Sequence, residues 1–207
     1  MNNPVPVATD QTDLPHVLVS SLKIGILVSV LVALFSLTGR LLDGIAEQAV
    51  QALLVAAGIW ITTLLPGLWT RARSIEGIAG AAGIGLAGTV VFMLIDVSLL
   101  QPFGVYSNRW LEIGGGSNWW YHPVWWMAGT FLPWMGAFAL ANQAARGREP
   151  SAPAVFVTAA VLALVVGGLA ALLGFPGATL GLGTMGVAFL PAIALTVLVT
   201  GLGTRRA

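Results

Sequence analysis

Asp96 and His122 are the side chains of this sequence most able to do chemistry, because each falls in or beside a long apolar run. An acid in such a run marks either an ion pair or a site for a proton or cation, since an unpaired charge there is costly. No second buried acid is expected that would support a proton relay. We therefore expect an ion pair of Asp96 with Arg109 or Arg40 that holds the following loop in place.

His122 lies in the stretch GGGSNWWYHPVWWM, residues 114–127, and its imidazole is a potential axial ligand. A bis-histidine haem needs a second ligand at matching depth, but His16 precedes the first apolar run, on the opposite side. A single imidazole could still hold a chlorophyll-type pigment, with neighbouring tryptophans packed on its ring. Pro123 instead fits the first turn of an ordinary helix. We expect no bound cofactor and keep the pigment as an alternative.

The other side-chain arrangements that enzymes use are missing from the sequence. It has no cysteine and only two histidines, which are far apart, so neither a thiolate site nor a metal site is expected. No Ser/His/Asp set or pair of carboxylates can be assembled on one side of the predicted bundle. We therefore expect a protein that is not an enzyme.

Glycine patterns recur in two apolar runs, as GIGLAG at 83–88 and GLGTMG at 181–186. Both match G-x-G-x-x-G, but a dinucleotide site needs this pattern between a strand and a helix N-terminus, which a continuous membrane helix does not offer. Small residues at four-residue spacing instead let membrane helices pack closely. The residues predicted to serve this packing are Gly77, Ala81, Gly85, Gly177 and Gly181.

The composition predicts an integral membrane protein. Hydrophobic residues make up 57% of the chain and charged residues 8%, and the mean hydropathy is +0.90, so polar surface is too scarce for a soluble globule. A net charge of +1 without a basic run argues against nucleic-acid binding. A spanning helix needs about 20 apolar residues. The sequence predicts a single all-α membrane domain, 1–207, with helices at about 17–39, 48–66, 75–100, 123–142, 153–173 and 177–201.

The positive charges predict the orientation of the bundle, because short loops rich in Lys and Arg stay in the cytoplasm. If the six helices alternate, one face holds seven of the nine cations and the opposite face holds only Arg40 and Arg109. Both termini should then be cytoplasmic and the loop 101–122 external. We expect a multi-pass protein, placed in a bacterial inner membrane. The seven cations of the first face are Lys23, Arg71, Arg73, Arg146, Arg148, Arg205 and Arg206.

The predicted external loop and the helix after it concentrate aromatic residues on one edge. Trp and Tyr favour the headgroup level, so an aromatic belt would explain them. A uniform belt would be spread around the bundle, however, and a concentrated group indicates a contact surface for another protein or for lipid. The residues predicted for this contact are Trp110, Trp119, Trp120, Tyr121, Trp125 and Trp126.

Three functions stay open on this sequence. The first is a non-catalytic subunit that packs against a larger membrane complex, for which a respiratory or photosynthetic complex is a plausible host. The second is a transporter of small solutes or ions built from two inverted three-helix units, because the glycine patterns fall in the third and sixth helices. The third is a membrane protein that binds pigment or lipid through His122 and its neighbouring tryptophans.

Overall fold

The computed structural model describes residues 10–105 and 121–202, with no account of the side chains of Tyr121 and His122. The regular secondary structure of this part of the chain is entirely helical, without a strand, and six of its helices are long and apolar enough to cross a membrane. The predicted all-α fold, with six helices long and apolar enough to span a membrane, is confirmed for this part of the chain. The helices are α1 Leu14–Leu41, α2 Gly44–Trp69, α3 Ile75–Ile95, α4 Tyr121–Ala145, α5 Ala152–Leu172 and α6 Leu182–Gly201.

Local signals explain where several helices begin. The side chain of Asp13 caps α1 by accepting a hydrogen bond from the backbone N–H of His16 at 3.2 Å. Ser74 caps α3 and Ser151 caps α5 in the same way, through the N–H groups of Glu76 and Ala154. Side-chain caps satisfy N–H groups that a helix leaves without partners at its start.

The sixth helix begins at Leu182, five residues later than the predicted start near Gly177. Gly177 has a φ of +78°, in the left-handed region that favours glycine. The preceding segment forms a turn, in which the N–H of Ala178 donates to the carbonyl of Phe175 at 2.9 Å. Gly181 is the N-cap of α6. Gly177 and Gly181 therefore lie in a connection and outside the helix, and the predicted helix packing does not apply to them.

Helices α1 to α4 form one closely packed unit, and α5 and α6 form a hairpin beside it. Helix α3 packs along both α1 and α4, and α2 packs on α1, α3 and α4. The hairpin joins the unit mainly through the contact of α6 with α4. The bundle has two ends, which we name for the residues found there. The arginine end consists of residues 10–14, 70–74 and 146–151 and the last turn of α6. The aromatic end consists of the last turn of α1, residues 42–43 and 96–105, and the first turn of α4.

Glycine allows a close crossing of α3 and α4. A Cβ atom on Gly85 would overlap the carbonyl oxygen of Gly129 and the ring of Pro133. A Cβ atom on Gly129 would in turn overlap the hydroxyl of Thr89. Backbones come this close only where side chains are absent. The structure thus places Gly85 at a helix contact, and it places Ala81 in a buried cluster with Ala137 of α4.

Gly77 has a different neighbour from the one expected. It lies in the first turn of α3, where a Cβ atom would meet the carboxylate of Asp10 from the segment before α1. The N–H of Gly77 donates to that carboxylate at 2.9 Å. Gly77 therefore makes room for a capping anion and does not pack against a transmembrane helix.

Polar contacts attach the hairpin to the unit at the arginine end. Asn142, which is buried in α4, donates to the carbonyl of Val197 in α6 at 3.1 Å. Arg146 donates to the carbonyls of Val199 and Leu202 at the end of α6. A cation at a helix C-terminus satisfies free carbonyls and complements the helix dipole. These side chains fix the end of α6 on α4.

Candidate functional site

Asp96 lies at the aromatic end, where the regular α3 helix changes to a π-helical turn over Asp96–Leu100. The carbonyl of Asp96 accepts the N–H of Gln101 at 2.9 Å, a bond across five residues. Its carboxylate accepts a second bond from the side-chain amide of Gln101 at 2.7 Å. Asp96 is fully buried, with 0% of its surface exposed. Its main chain and side chain thus both hold Gln101, and π turns inside helices are frequent at functional sites.

The turn after Gln101 is tied to the end of α1. Ser36 donates its hydroxyl hydrogen to the carbonyl of Val105. Arg40 donates to the carbonyls of Gly104 and Val105, the latter at 2.9 Å. Arg40 therefore bonds to the backbone of this turn. One of the two predicted ion pairs, between Arg40 and Asp96, is not formed. The other candidate, Arg109, lies outside the described residues.

Sequence reasoning missed Gln101 and Ser36 as members of this cluster. Gln101 had a usable signal, because it is the first strongly polar side chain after Asp96 and closes the apolar run. Ser36 had none, since a hydroxyl in a membrane helix usually bonds back to its own helix. Ser21 and Ser29 of α1 do so, donating to the carbonyls four residues earlier. Only the fold brings Ser36 to Val105.

Trp125 faces into the bundle and lies against Phe92 of α3. Their ring centroids are 4.9 Å apart and the planes are tilted by 56°, a favourable arrangement for two aromatic rings. Both residues border a small cavity of about 50 Å³ between the first four helices. Ligand pockets measure roughly 300 Å³ or more, so this cavity is too small for a tetrapyrrole. The inward position of Trp125 differs from the external contact predicted for it.

Trp126 faces the opposite way, outward from the bundle, with 50% of its surface exposed. Its side chain borders an open groove of about 290 Å³ between α3 and α4 at the aromatic end. The other residues that line the groove are Val90, Met93, Leu94 and Val97. The lining is almost entirely apolar, so the groove fits a hydrocarbon chain or an apolar side chain.

The rest of the predicted contact set cannot be placed beside Trp126. Trp110, Trp119 and Trp120 lie outside the described residues. Tyr121 and His122 form the start of α4, and their side chains lie outside the description as well. The docking role of the aromatic group and the pigment-ligand role of His122 both stay predictions.

The described residues contain no group of three or more His, Asp or Glu side chains that could hold a metal ion. Asp96 has the side-chain amide of Gln101 as a hydrogen-bond partner at this end. The arrangement can hold a turn, seat an apolar partner and shield a buried acid.

No family model, curated protein or solved structure matches this chain.

Proposed function

We propose that this chain is a non-catalytic subunit of a larger membrane complex and that it contacts its partner at the groove beside Trp126. The observation that carries the proposal is the groove itself, which is apolar, open to the side and bordered by a half-exposed tryptophan. The occupant that we propose is a transmembrane helix of another protein.

The shape of the groove favours a helix. Rows of side chains on one helix pack into the grooves of another, and this interlocking fixes how membrane helices meet. Large aromatic residues bordered by smaller apolar ones often supply most of the energy of such a contact. Trp126 with Val90, Leu94 and Val97 has this composition.

The uses of the buried polar side chains support a structural role. Asp96 holds Gln101, Asn142 holds the end of α6, and Thr89 and Thr196 donate to carbonyls of their own helices at 2.9 Å. Asp96 and Asn142 thus hold neighbouring parts of the fold in place, and the two threonine hydroxyls are satisfied within their own helices. A subunit whose role is assembly needs little more from its polar side chains.

The packing of the helices offers little support for the transporter alternative. Two inverted three-helix units would relate α1 to α4 and α3 to α6, so the extensive α3–α4 contact would have a counterpart between α6 and α1. Helix α6 packs on α4 and α5 and makes no comparable contact with α1. The pigment alternative rests on His122 and predicts an absorption band in the purified protein.

We further propose that the arginine end faces the cytoplasm and the aromatic end the exterior, in a bacterial inner membrane. The support is the seven-to-two distribution of Lys and Arg. Because the chain has no cysteine, single cysteines can be labelled cleanly in intact cells. An impermeant maleimide should label a cysteine at Phe103 and spare one at Arg73. The reverse pattern would contradict this orientation.

The complex can be tested by extracting the tagged chain in a mild detergent and measuring the mass and absorption of the particle. A protein mass, after subtraction of bound detergent, above that of the 21.4 kDa chain, with a second membrane protein at fixed stoichiometry, is the expected result. Recovery of the chain alone from several mild detergents would contradict the proposal. A coloured band that His122→Ala removes would favour the pigment alternative.

A further inference from the structure

The segment before α1 is fixed to the turn between α2 and α3 at the arginine end. The carboxylate of Asp10 accepts hydrogen bonds from the backbone N–H groups of Arg73 at 3.1 Å, Ser74 at 3.0 Å and Gly77 at 2.9 Å. It also lies within hydrogen-bond reach of the hydroxyl of Ser74. An anion in this position is stabilised by the free N–H groups and the dipole at the start of α3. The charge of Asp10 is therefore balanced by the helix.

Two further bonds hold the end of α2, and with it Trp69. The N–H of Gln11 donates to the carbonyl of Thr70 at 2.8 Å. The Nε2 atom of His16 lies 3.1 Å from the carbonyl oxygen of Trp69, to which it donates. The backbone of Trp69 is thus bonded to the start of α1, and the tryptophan is fixed beside that helix.

Lys23 lies against the ring of Trp69. Its Nζ atom is 5.8 Å from the ring centroid, within the range of a cation–π contact. Lys23 is nine residues after Leu14, about 14 Å along the helix at 1.5 Å per residue. Side chains on a helix lean toward its N-terminus, so the ammonium group is directed back toward the membrane surface at the arginine end. The residue is exposed on the outside of the bundle.

The acids of the arginine end near Lys23 have other partners. Asp10 bonds to the start of α3, and Asp13 caps α1. The carboxylate of Glu76 also lies within hydrogen-bond reach of the Ser74 hydroxyl, whose single hydrogen can go to either Asp10 or Glu76. Among the residues that the structure describes, none of these three carboxylates pairs with Lys23. Arg71 and Arg73 in the neighbouring turn are also exposed. Three cations and three carboxylates therefore share this surface, and Lys23 makes no ion pair with any of the three carboxylates.

We propose that Lys23 and Trp69 bind the headgroup phosphate of an anionic phospholipid in the leaflet at the arginine end. The ammonium group of Lys23 supplies the charge, and the ring of Trp69 packs beside the glycerol and upper acyl carbons. Arg71 and Arg73 are not needed as direct ligands. This site is at the opposite end of the bundle from Trp126 and does not depend on the proposed function.

Lipid nanodiscs provide the test. Binding of phosphatidylglycerol is measured, by native mass spectrometry, for the wild type, Lys23→Met and Lys23→Arg, with Arg148→Gln as the matched control. Met keeps the unbranched apolar stem, Arg keeps the charge, and Arg148 is an exposed cation at the same end. A juxtamembrane cation contributes about 1 kcal/mol to binding of an anionic lipid surface, so Lys23→Met should bind about five-fold more weakly.

The expected pattern is a loss for Lys23→Met alone, with Lys23→Arg and Arg148→Gln close to the wild type. Equal binding by Lys23→Met and the wild type would overturn the site, and an equal loss for Arg148→Gln would show a general charge effect instead. A second experiment asks whether the ligand is a lipid headgroup or a free phosphate ion, by adding inorganic phosphate to the protein in phosphatidylcholine nanodiscs. If free phosphate raises the melting temperature of the protein as much as phosphatidylglycerol does, the lipid assignment is wrong. Melting in phosphatidylcholine alone verifies that each variant is folded.

Discussion

Gly85→Leu is expected to prevent α3 from packing on α4. The new side chain would occupy the space of the carbonyl of Gly129 and the ring of Pro133, neither of which can move far inside a helix. Overpacking typically costs about 1–3 kcal/mol, and a clash with backbone belongs at or above the upper end of this range. We expect a loss of about 3 kcal/mol or more in the free energy of unfolding, measured by detergent unfolding followed by circular dichroism.

Gly83→Leu is the matched control for this variant. Gly83 lies in the same helix, two residues away, but a Cβ atom there would meet nothing within 4 Å. The two variants introduce the same side chain into the same apolar helix, so they differ only in what faces it. Gly83→Leu should therefore fold with nearly wild-type stability. If Gly85→Leu were equally stable, the close crossing of α3 and α4 would be contradicted.

The number of helices was predictable from the sequence because hydropathy acts over whole segments. A run of about 20 apolar residues with few charges can hardly be anything other than a spanning helix. Helix ends were less predictable. The glycines at Gly177 and Gly181 lie in an apolar run and read as helix, whereas the backbone turns there and α6 begins at Leu182. Hydropathy does not report a positive φ.

The faces of the helices could not be predicted for a different reason. In a soluble bundle the polar face of a helix points to water, but membrane helices are apolar all round and carry no such signal. Trp125 and Trp126 are adjacent in sequence and equally hydrophobic, yet one packs on Phe92 and the other faces outward. The spacing of small residues was a partial signal. It predicted a helix contact at both Gly85 and Gly77, and the structure has one at Gly85, whereas Gly77 lies against Asp10.

The bonding partners of the buried polar groups also required the fold. An acid in a membrane helix and an arginine on the same side suggest an ion pair, and the sequence offers no way to rank that pair against backbone acceptors. The structure gives Arg40 two carbonyls and gives Asp96 the amide of Gln101. The π turn at Asp96 brings Gln101 to this carboxylate, and no pattern of residues in the sequence predicted that turn.

Trp126→Ala is expected to release the partner while leaving the bundle intact. Trp126 is half exposed and borders the groove, so its removal takes little from the internal core. An aromatic anchor at the centre of an interface contributes about 2 kcal/mol or more, and 2 kcal/mol corresponds to roughly 30-fold in affinity. Trp125→Ala should act differently, because it removes a ring that packs on Phe92 and should lower the stability of the isolated chain.

Trp134→Ala is the matched control for Trp126→Ala. Trp134 is also an exposed tryptophan of α4, eight residues further along, and it does not line the groove. Its removal changes the lipid-facing surface by the same side chain. If the tryptophans served only as a membrane belt, the two variants would lower stability to a similar small extent and neither would alter the partners.

The most direct measurement is the amount of partner that co-purifies with equal amounts of the folded wild type, Trp126→Ala and Trp134→Ala after mild extraction. The subunit proposal predicts wild-type stoichiometry for Trp134→Ala and a large loss of the partner for Trp126→Ala, with both variants melting within a few degrees of the wild type. Retention of the same partner at the same stoichiometry by folded Trp126→Ala would contradict it.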